Sequence, residues 1–333
     1  MTTTSLTANV SPVDAGDDVV FAGFIARTPA FALAGGSVLL AGLDGENRIA
    51  AHEDGAILVA ACDGRRIVTG GDDGRVLAID GAGAVETIAE EKGWIDAIAL
   101  RDDGAFAWSA GRNVRARAAK GETTSLAIPS SSRGLAFMPK GYRLAIAHYG
   151  GVSLWFPSTQ AKPETLEWKG SHLDVTVSPD GKFLLTSMQE NTLHGWRLSD
   201  GKDMRMAGYT TRTRALSWSS DGKWLATSGA DACVIWPFSG KDGPMGQPPR
   251  ECGVRAEVMV TRAAFHPAAP VVAVGYEDGM VLLCRITDGS EILVKAPAEG
   301  GKRISALAWD ARGTQLAFGA EDGTAGVLTL PAG

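Results

Sequence analysis

Short apolar runs alternate with polar punctuation along almost the whole chain. In RALSWSSDGKWLATSGADACVIWPF, residues 214–238, the runs ALSW, KWLAT and CVIWPF are separated by SSDG and SGAD. The runs are too short and too interrupted for a helix face. Rich in Trp, Val and Ile and bounded by Gly, Asp and Ser, they predict antiparallel strands joined by hairpins. The same pattern returns in LDVTVSPDGKFLLTSMQENTLHGWRL (173–198), RGLAFMPKGYRLAIAHYGGVSLWF (133–156), SALAWDARGTQLAFGAEDGTAGVLTL (305–330) and TRAAFHPAAPVVAVGYEDGMVLLCRI (261–286). Two further copies occupy 56–80 and 94–118, and a degenerate one, 19–43, aligns when Thr28 takes the first-turn position of Gly313.

The residue closing the first hairpin tests this register. It falls at Thr28, Gly64, Gly104, Gly141, Gly181, Gly222, Ala269 and Gly313, spaced by 36, 40, 37, 40, 41, 47 and 44 residues. Glycine recurs there because a tight turn often needs a positive φ. A period of about forty residues with four strands in each unit is the mark of a propeller, each unit forming one radial blade. The inner strands carry a bias that suits such crowding. Bulky residues (Leu135/Phe137, Leu216/Trp218, Leu307/Trp309, Ile98/Leu100) alternate with small ones (Gly134/Ala136, Ala215/Ser217, Ala306/Ala308, Ala97/Ala99).

The expected fold is therefore an all-β propeller of eight blades, each of four antiparallel strands, in a single domain over 1–333. The repeats run over about 19–52, 53–92, 93–130, 131–170, 171–211, 212–257, 258–300 and 301–330. The last copy has no outer strand of its own, and TSLTANV (4–10), within 1–12, is expected to supply it and remove an exposed edge. The alternative is seven blades, with ENRIAAH (46–52) closing the ring and 19–43 packed outside it. That version leaves Phe24, Phe31, Leu39 and Leu40 without a burial site.

These units resemble WD40 repeats. The resemblance is carried by SPDG at 178–181 with Trp196, by SSDG at 219–222 with Trp236, and by Trp155, and it covers nearly the whole chain. The set is divergent. The family's structural tetrad joins a His, a Ser or Thr, a turn Asp and a Trp, and no unit shows all four. His52, Thr69 and Asp73 match three positions in the second unit, with Ile79 in place of Trp. Thr227 and Asp231 match in the sixth, Trp236 matches with one residue missing from the last strand, and the His is absent. Cys284 and Leu328 stand at the Trp position of the last two.

Composition narrows the function classes. Net charge is −6, which argues against a general nucleic-acid binder. No apolar run is long enough to span a bilayer, and the N-terminal stretch lacks the basic start and apolar block of a secretory signal. Cys62, Cys233, Cys252 and Cys284 lie far apart without CxxC spacing and read as reduced structural thiols. A cytoplasmic, monomeric chain is expected. His52, His148, His172, His194 and His266 never fall in HxH or HxxxH pairs, so no metal or cofactor is assigned. Asp73, Asp231, Asp278 and Asp322 recur at the second hairpin, as a turn role predicts, and no nucleotide loop or nucleophile elbow appears. The Gly- and Pro-rich insert at 239–254 is expected to be an exposed loop.

The resemblance implies a platform for proteins or peptides, chiefly on the loops joining each outer strand to the next inner strand. Those loops carry Trp94, Asp96, Arg133, His172, Arg212, Arg214, Arg262 and Arg303. Basic residues on several loops of an acidic protein suggest a cationic ring for an acidic or phosphorylated segment. Isolated surface charges, however, need no function. The expected function is a non-enzymatic interaction scaffold. The alternative is an enzyme or small-molecule binder with its ligand in the central channel, where Asp96, His172 and Asp174 are the polar groups near inner-strand starts.

Overall fold

The computed structural model describes residues 4–42 and 45–331, so Met1–Thr3 of the expected closing segment lie outside the described residues. Strands make up nearly all of the regular structure, and one 3-10 turn, Thr7–Asn9, is the helical element among the described residues. The glycines at the first hairpins behave as their recurrence predicts. Gly64, Gly104, Gly141, Gly181, Gly222 and Gly313 have φ between 67° and 92°. The first repeat departs from the alignment. Its strands Val19–Ile25 and Thr28–Leu33 are joined by Ala26 and Arg27, and Ala26, not Thr28, carries the positive φ of 54°.

Among the described residues the strands form seven hydrogen-bonded sheets, so the eight-blade count is not confirmed. Counted by sheet, the molecule is an all-β propeller of seven blades, one of them double. The double blade joins the fourth and fifth repeats, because Leu144–Trp155 and Glu164–Val177 stay extended where other repeats break into separate strands. The first half of Leu144–Trp155 pairs with Gly134–Phe137, and the second half pairs with Glu164–Glu167. Glu164–Val177 then continues inward to pair with Phe183–Met188. Each of the eight sequence repeats still supplies an innermost segment. The seven-sheet count also does not arise as the alternative supposed. Gly45–Ala50 is the outer strand of the first repeat's own sheet, and Phe24, Phe31, Leu39 and Leu40 are buried.

The cores lie between neighbouring repeats, as a radial arrangement requires. One cluster joins Ile25, Ala32 and Leu40 of the first repeat to Ile57, Ile67 and Leu77 of the second. Another joins Phe24, Phe31 and Leu39 to Ala317 and Val327 of the last repeat and to Val13. At about 25 cal/mol per Å² of apolar surface, burial of this kind drives folding. It also locks each repeat to the next.

The ends meet, though in a different register from the one expected. Val10–Asp14 pairs antiparallel with Thr324–Leu328 and supplies the missing outer strand. The upstream part of the expected strand goes elsewhere: Thr4–Ser5 lies parallel to Ile292 and Leu293 of the seventh repeat. The Ser305 hydroxyl adds a cross-link at the join by donating to the Val19 carbonyl at 2.5 Å.

Candidate functional site

Each inner strand starts at the channel, so residues just ahead of it, or in its first turn of chain, are delivered to the channel mouth. Asp96 precedes Ala97–Leu100, Arg133 precedes Gly134–Phe137, and Arg212 and Arg214 precede Leu216–Trp218. Arg262 lies early in Val260–Phe265, and Asp174 lies where Glu164–Val177 turns inward. These six side chains line one cavity of about 280 Å³. Four guanidinium groups thus stand against two carboxylates.

The cations differ in how far they are already engaged. Arg262 is fixed: its Nε donates to the Ser305 carbonyl at 2.6 Å, and its Nη1 donates to the Arg214 and Thr261 carbonyls at 3.2 Å each. One guanidinium therefore spans three consecutive repeats. Arg212 donates to the Gln189 side-chain oxygen at 3.3 Å. Among the described residues none of the four lies within ion-pair distance of a carboxylate, and Asp174 offsets their charge only at longer range.

Titration behaviour agrees with a site poorer in solvent than a free surface. Desolvation lowers the pKa of Arg262 to about 10, Asp174 opposes that shift, and Arg214 and Arg303 add to it. Asp174 is accessible from the channel yet ringed by protein. That surrounding raises its carboxyl pKa despite Arg262, Arg133, the Ser187 hydroxyl and Arg212, all of which pull it down. Arg214 is lowered by desolvation and by the neighbouring Arg303 and Arg212. Crowded cations in a partly dehydrated cavity favour an anion from outside, because its charge relieves their mutual repulsion.

The remaining expected residues are placed otherwise. Trp94 is exposed, 64% of its surface being free, and is not among the groups lining the cavity. Asp96 faces the mouth, but its Oδ2 already accepts the Gly111 N–H at 2.8 Å. Arg303 pairs with Glu321 at 2.6 Å beside the cavity. His172 is a correction. It is buried, its Nδ1 lies 2.7 Å from Thr186 Oγ1, and its Nε2 lies 3.0 Å from the Trp168 carbonyl. It serves the fifth repeat as His52 serves the second, where the imidazole bridges Asp73 at 2.9 Å and Thr69 at 2.9 Å. A His 14 residues ahead of Thr186, set beside His52 17 residues ahead of Thr69, was the available signal. In the sixth repeat, which lacks the His, Tyr209 takes its place: Trp236 Nε1 donates to Tyr209 Oη at 2.6 Å, and Oη lies 2.8 Å from Thr227 Oγ1.

The sequence reading also missed an apolar wall. Val20, Phe21, Leu58 and Val59 line the same cavity as the arginines, and Leu58 is 40% exposed there. Among the described residues no group of three His, Cys, Asp or Glu side chains is arranged to hold a metal ion. No helix among them is long and apolar enough to cross a membrane.

Two family descriptions match the chain. "WD domain, G-beta repeat" matches residues 204–236, and "Anaphase-promoting complex subunit 4 WD40 domain" matches residues 260–333. These matches, over two segments of the chain, support a WD40-repeat β-propeller family. Among relatives of this propeller, WD repeat-containing protein 1-B of Xenopus laevis is 32% identical over 94 residues, 27% of this chain and 16% of that protein. Apoptotic protease-activating factor 1 of Danio rerio is 27% identical over 188 residues, 48% of this chain and 14% of that protein. The matches thus span about a seventh of the length of these relatives. A crystal structure of the computationally designed Ika8 protein superposes with a TM-score of 0.76 at 16% identity, covering 94% of this chain and 96% of that one. That likeness concerns the fold alone.

Proposed function

We propose that this WD40 propeller is a non-enzymatic scaffold that holds an acidic or phosphorylated segment of a partner protein across its channel mouth. WD40 propellers are in general protein-interaction scaffolds. The observation that carries the finer reading is the convergence of Arg133, Arg212, Arg214 and Arg262 on one cavity, four guanidinium groups against two carboxylates and none of the four in a direct ion pair. Arginine suits this task because its planar fork binds a carboxylate or phosphate through paired hydrogen bonds. Trp94, on the loop ahead of the third inner strand, offers exposed aromatic area of the kind that anchors partners. A monomeric chain in the cytoplasm completes the reading. Four unpaired cysteines, two of them facing each other at Cys233 and Cys252 on adjacent strands, support a reducing compartment.

The test is an array of peptides graded in negative charge, with phosphorylated and unphosphorylated versions, probed with the intact chain. Binding should rise with charge and fall steeply between low and physiological salt. It should be lost in an Arg133/Arg212/Arg214→Glu variant whose circular dichroism and urea midpoint match wild type. Equal binding by wild type and variant would remove the arginine mouth from the interface. The concavity of the same mouth favours a second reading, a small anion held in the channel.

A further inference from the structure

The channel mouth is chemically two-sided, and the asymmetry has a backbone cause. Five of the innermost segments lose register with their partner strand at one place. The breaks fall between Val19 and Phe21, Ile57 and Val59, His172 and Val175, Val260 and Arg262, and Ile304 and Ala306. Bulges of this kind re-aim side chains and are common beside functional sites. In the last two repeats the bulged residues are polar and serve as cross-links. The Thr261 hydroxyl donates to the Ile304 carbonyl at 2.7 Å, and Ser305 donates to Val19. In the first two repeats the bulged residues are Val20 and Leu58, which make no such bond and line the cavity. In ring order these repeats stand across the axis from the fifth and sixth, which contribute Asp174, Arg212 and Arg214. An exposed leucine facing arginines is a poor surface for water and a good one for a ligand with two kinds of end.

We infer that the mouth takes an amphipathic anion, its acidic group on Arg133, Arg212, Arg214 and Arg262 and its apolar body against Val20, Phe21, Leu58 and Val59. This rests on the arginine mouth being the anion-binding face, and it adds what must be attached to the anion. Two sources share this chemistry. One is a partner peptide with a large apolar residue beside its acidic or phosphorylated one, and the other is a free alkyl or aryl acid. Inorganic phosphate satisfies only half of the site.

Calorimetry on the intact chain tests this with inorganic phosphate, with the straight-chain carboxylates from acetate to octanoate, and with capped pentapeptides in which phosphoserine is flanked by Gly or by Leu. Affinity should climb by about fourfold per added methylene over the part of the chain that reaches the wall. Leu58→Ser should flatten the climb and should change phosphate binding far less than it changes octanoate binding, and Val20→Asn serves as a second variant if the first folds poorly. Arg212→Gln should weaken phosphate, carboxylates and peptides together. Steeper gain from Leu over Gly than from added methylenes identifies a peptide ligand, and the reverse identifies a free acid. If phosphate and the glycine-flanked peptide bind but neither methylenes nor Leu improve affinity, the amphipathic inference fails and the arginine reading stands. If phosphate and both peptides fail to bind, both fall.

Discussion

Tyr209 does in the sixth repeat what an imidazole does in the second and fifth, which makes its hydroxyl a sharp place to measure one group's worth. The Oη accepts from Trp236 Nε1 and bonds Thr227 Oγ1, all within a buried cluster. Tyr209→Phe leaves a buried indole N–H unpaired and should cost about 1–3 kcal/mol in urea unfolding; an unmoved midpoint would mean that the pair carries no net energy. A search for His at a fixed position finds residue types, so it passed over Tyr209 and took His172 for a surface group. Asp174 supplies a second residue-level expectation, through pH. Desolvation by the surrounding protein raises its carboxyl pKa, although the carboxyl is open to the channel, against the pull of Arg262, Arg133, Ser187 and Arg212. A raised folded value means its contribution to stability is present below about 3.9, the unperturbed Asp value, and is lost as pH rises through the folded value. For binding the consequence is that, as pH falls through that raised value, Asp174 gives up its charge and the cationic excess of the mouth grows. Sulfate does not titrate in this range. It should bind wild type more tightly as pH falls from neutrality, whereas Asp174→Asn should bind tightly throughout. Parallel pH profiles would remove Asp174 as the source of the effect.

At the scale of elements, the second strands show how one repeat accepts the next. A Cβ at Gly70 would lie 2.4 Å from Ile95 Cγ2, one at Gly275 would lie 2.6 Å from Ile304 Cγ2, and one at Gly319 would lie 2.5 Å from Val19 Cγ1. In each case the neighbour belongs to the following repeat, and its β-branched side chain occupies the space the glycine leaves. Gly275→Ala should therefore cost about 1–3 kcal/mol through overpacking. Pairing it with Ile304→Ala should recover part of that loss, since the two sites touch. Strictly additive denaturation energies would show that the clash is relieved elsewhere. In the sequence these glycines belong to the recurring pattern of the second strand, and pattern alone does not say which neighbour they serve. The apolar wall of the mouth was hidden for a related reason. Val20 and Leu58 fall in runs that read as ordinary strand, and only a break in register turns them toward the channel.

For the molecule as a whole, the repeat unit, the propeller and the burial of 19–42 within the ring could be read from spacing and patterning, because every hairpin leaves a local trace. The number of hydrogen-bonded sheets could not. Gly150 and Gly151 have φ of 91° and 145°, and Gly170 has φ of 134°, which carry the chain around corners without ending the ladder, so two repeats share one sheet. Closure was legible as a need for an outer strand, but not in register, because the competing strand at Glu291–Lys295 draws off Thr4 and Ser5. That join is where the ring is expected to be weakest. Val10–Asp14 covers Thr324–Thr329, Val13 is buried in the cluster shared by the first and last repeats, and Ala15 N–H bonds the Gly323 carbonyl at 3.1 Å. Removing residues 1–14 uncovers an edge strand whose free N–H and C=O groups invite pairing with another chain. The truncated protein should melt at a lower temperature and should self-associate in light scattering, and a synthetic peptide of residues 4–14 added in trans should reverse both effects by refilling the edge. A truncated chain that stays monomeric with an unchanged melting temperature would show instead that packing between the first and last repeats, with the Ser305 bond to Val19, closes the ring without the strand.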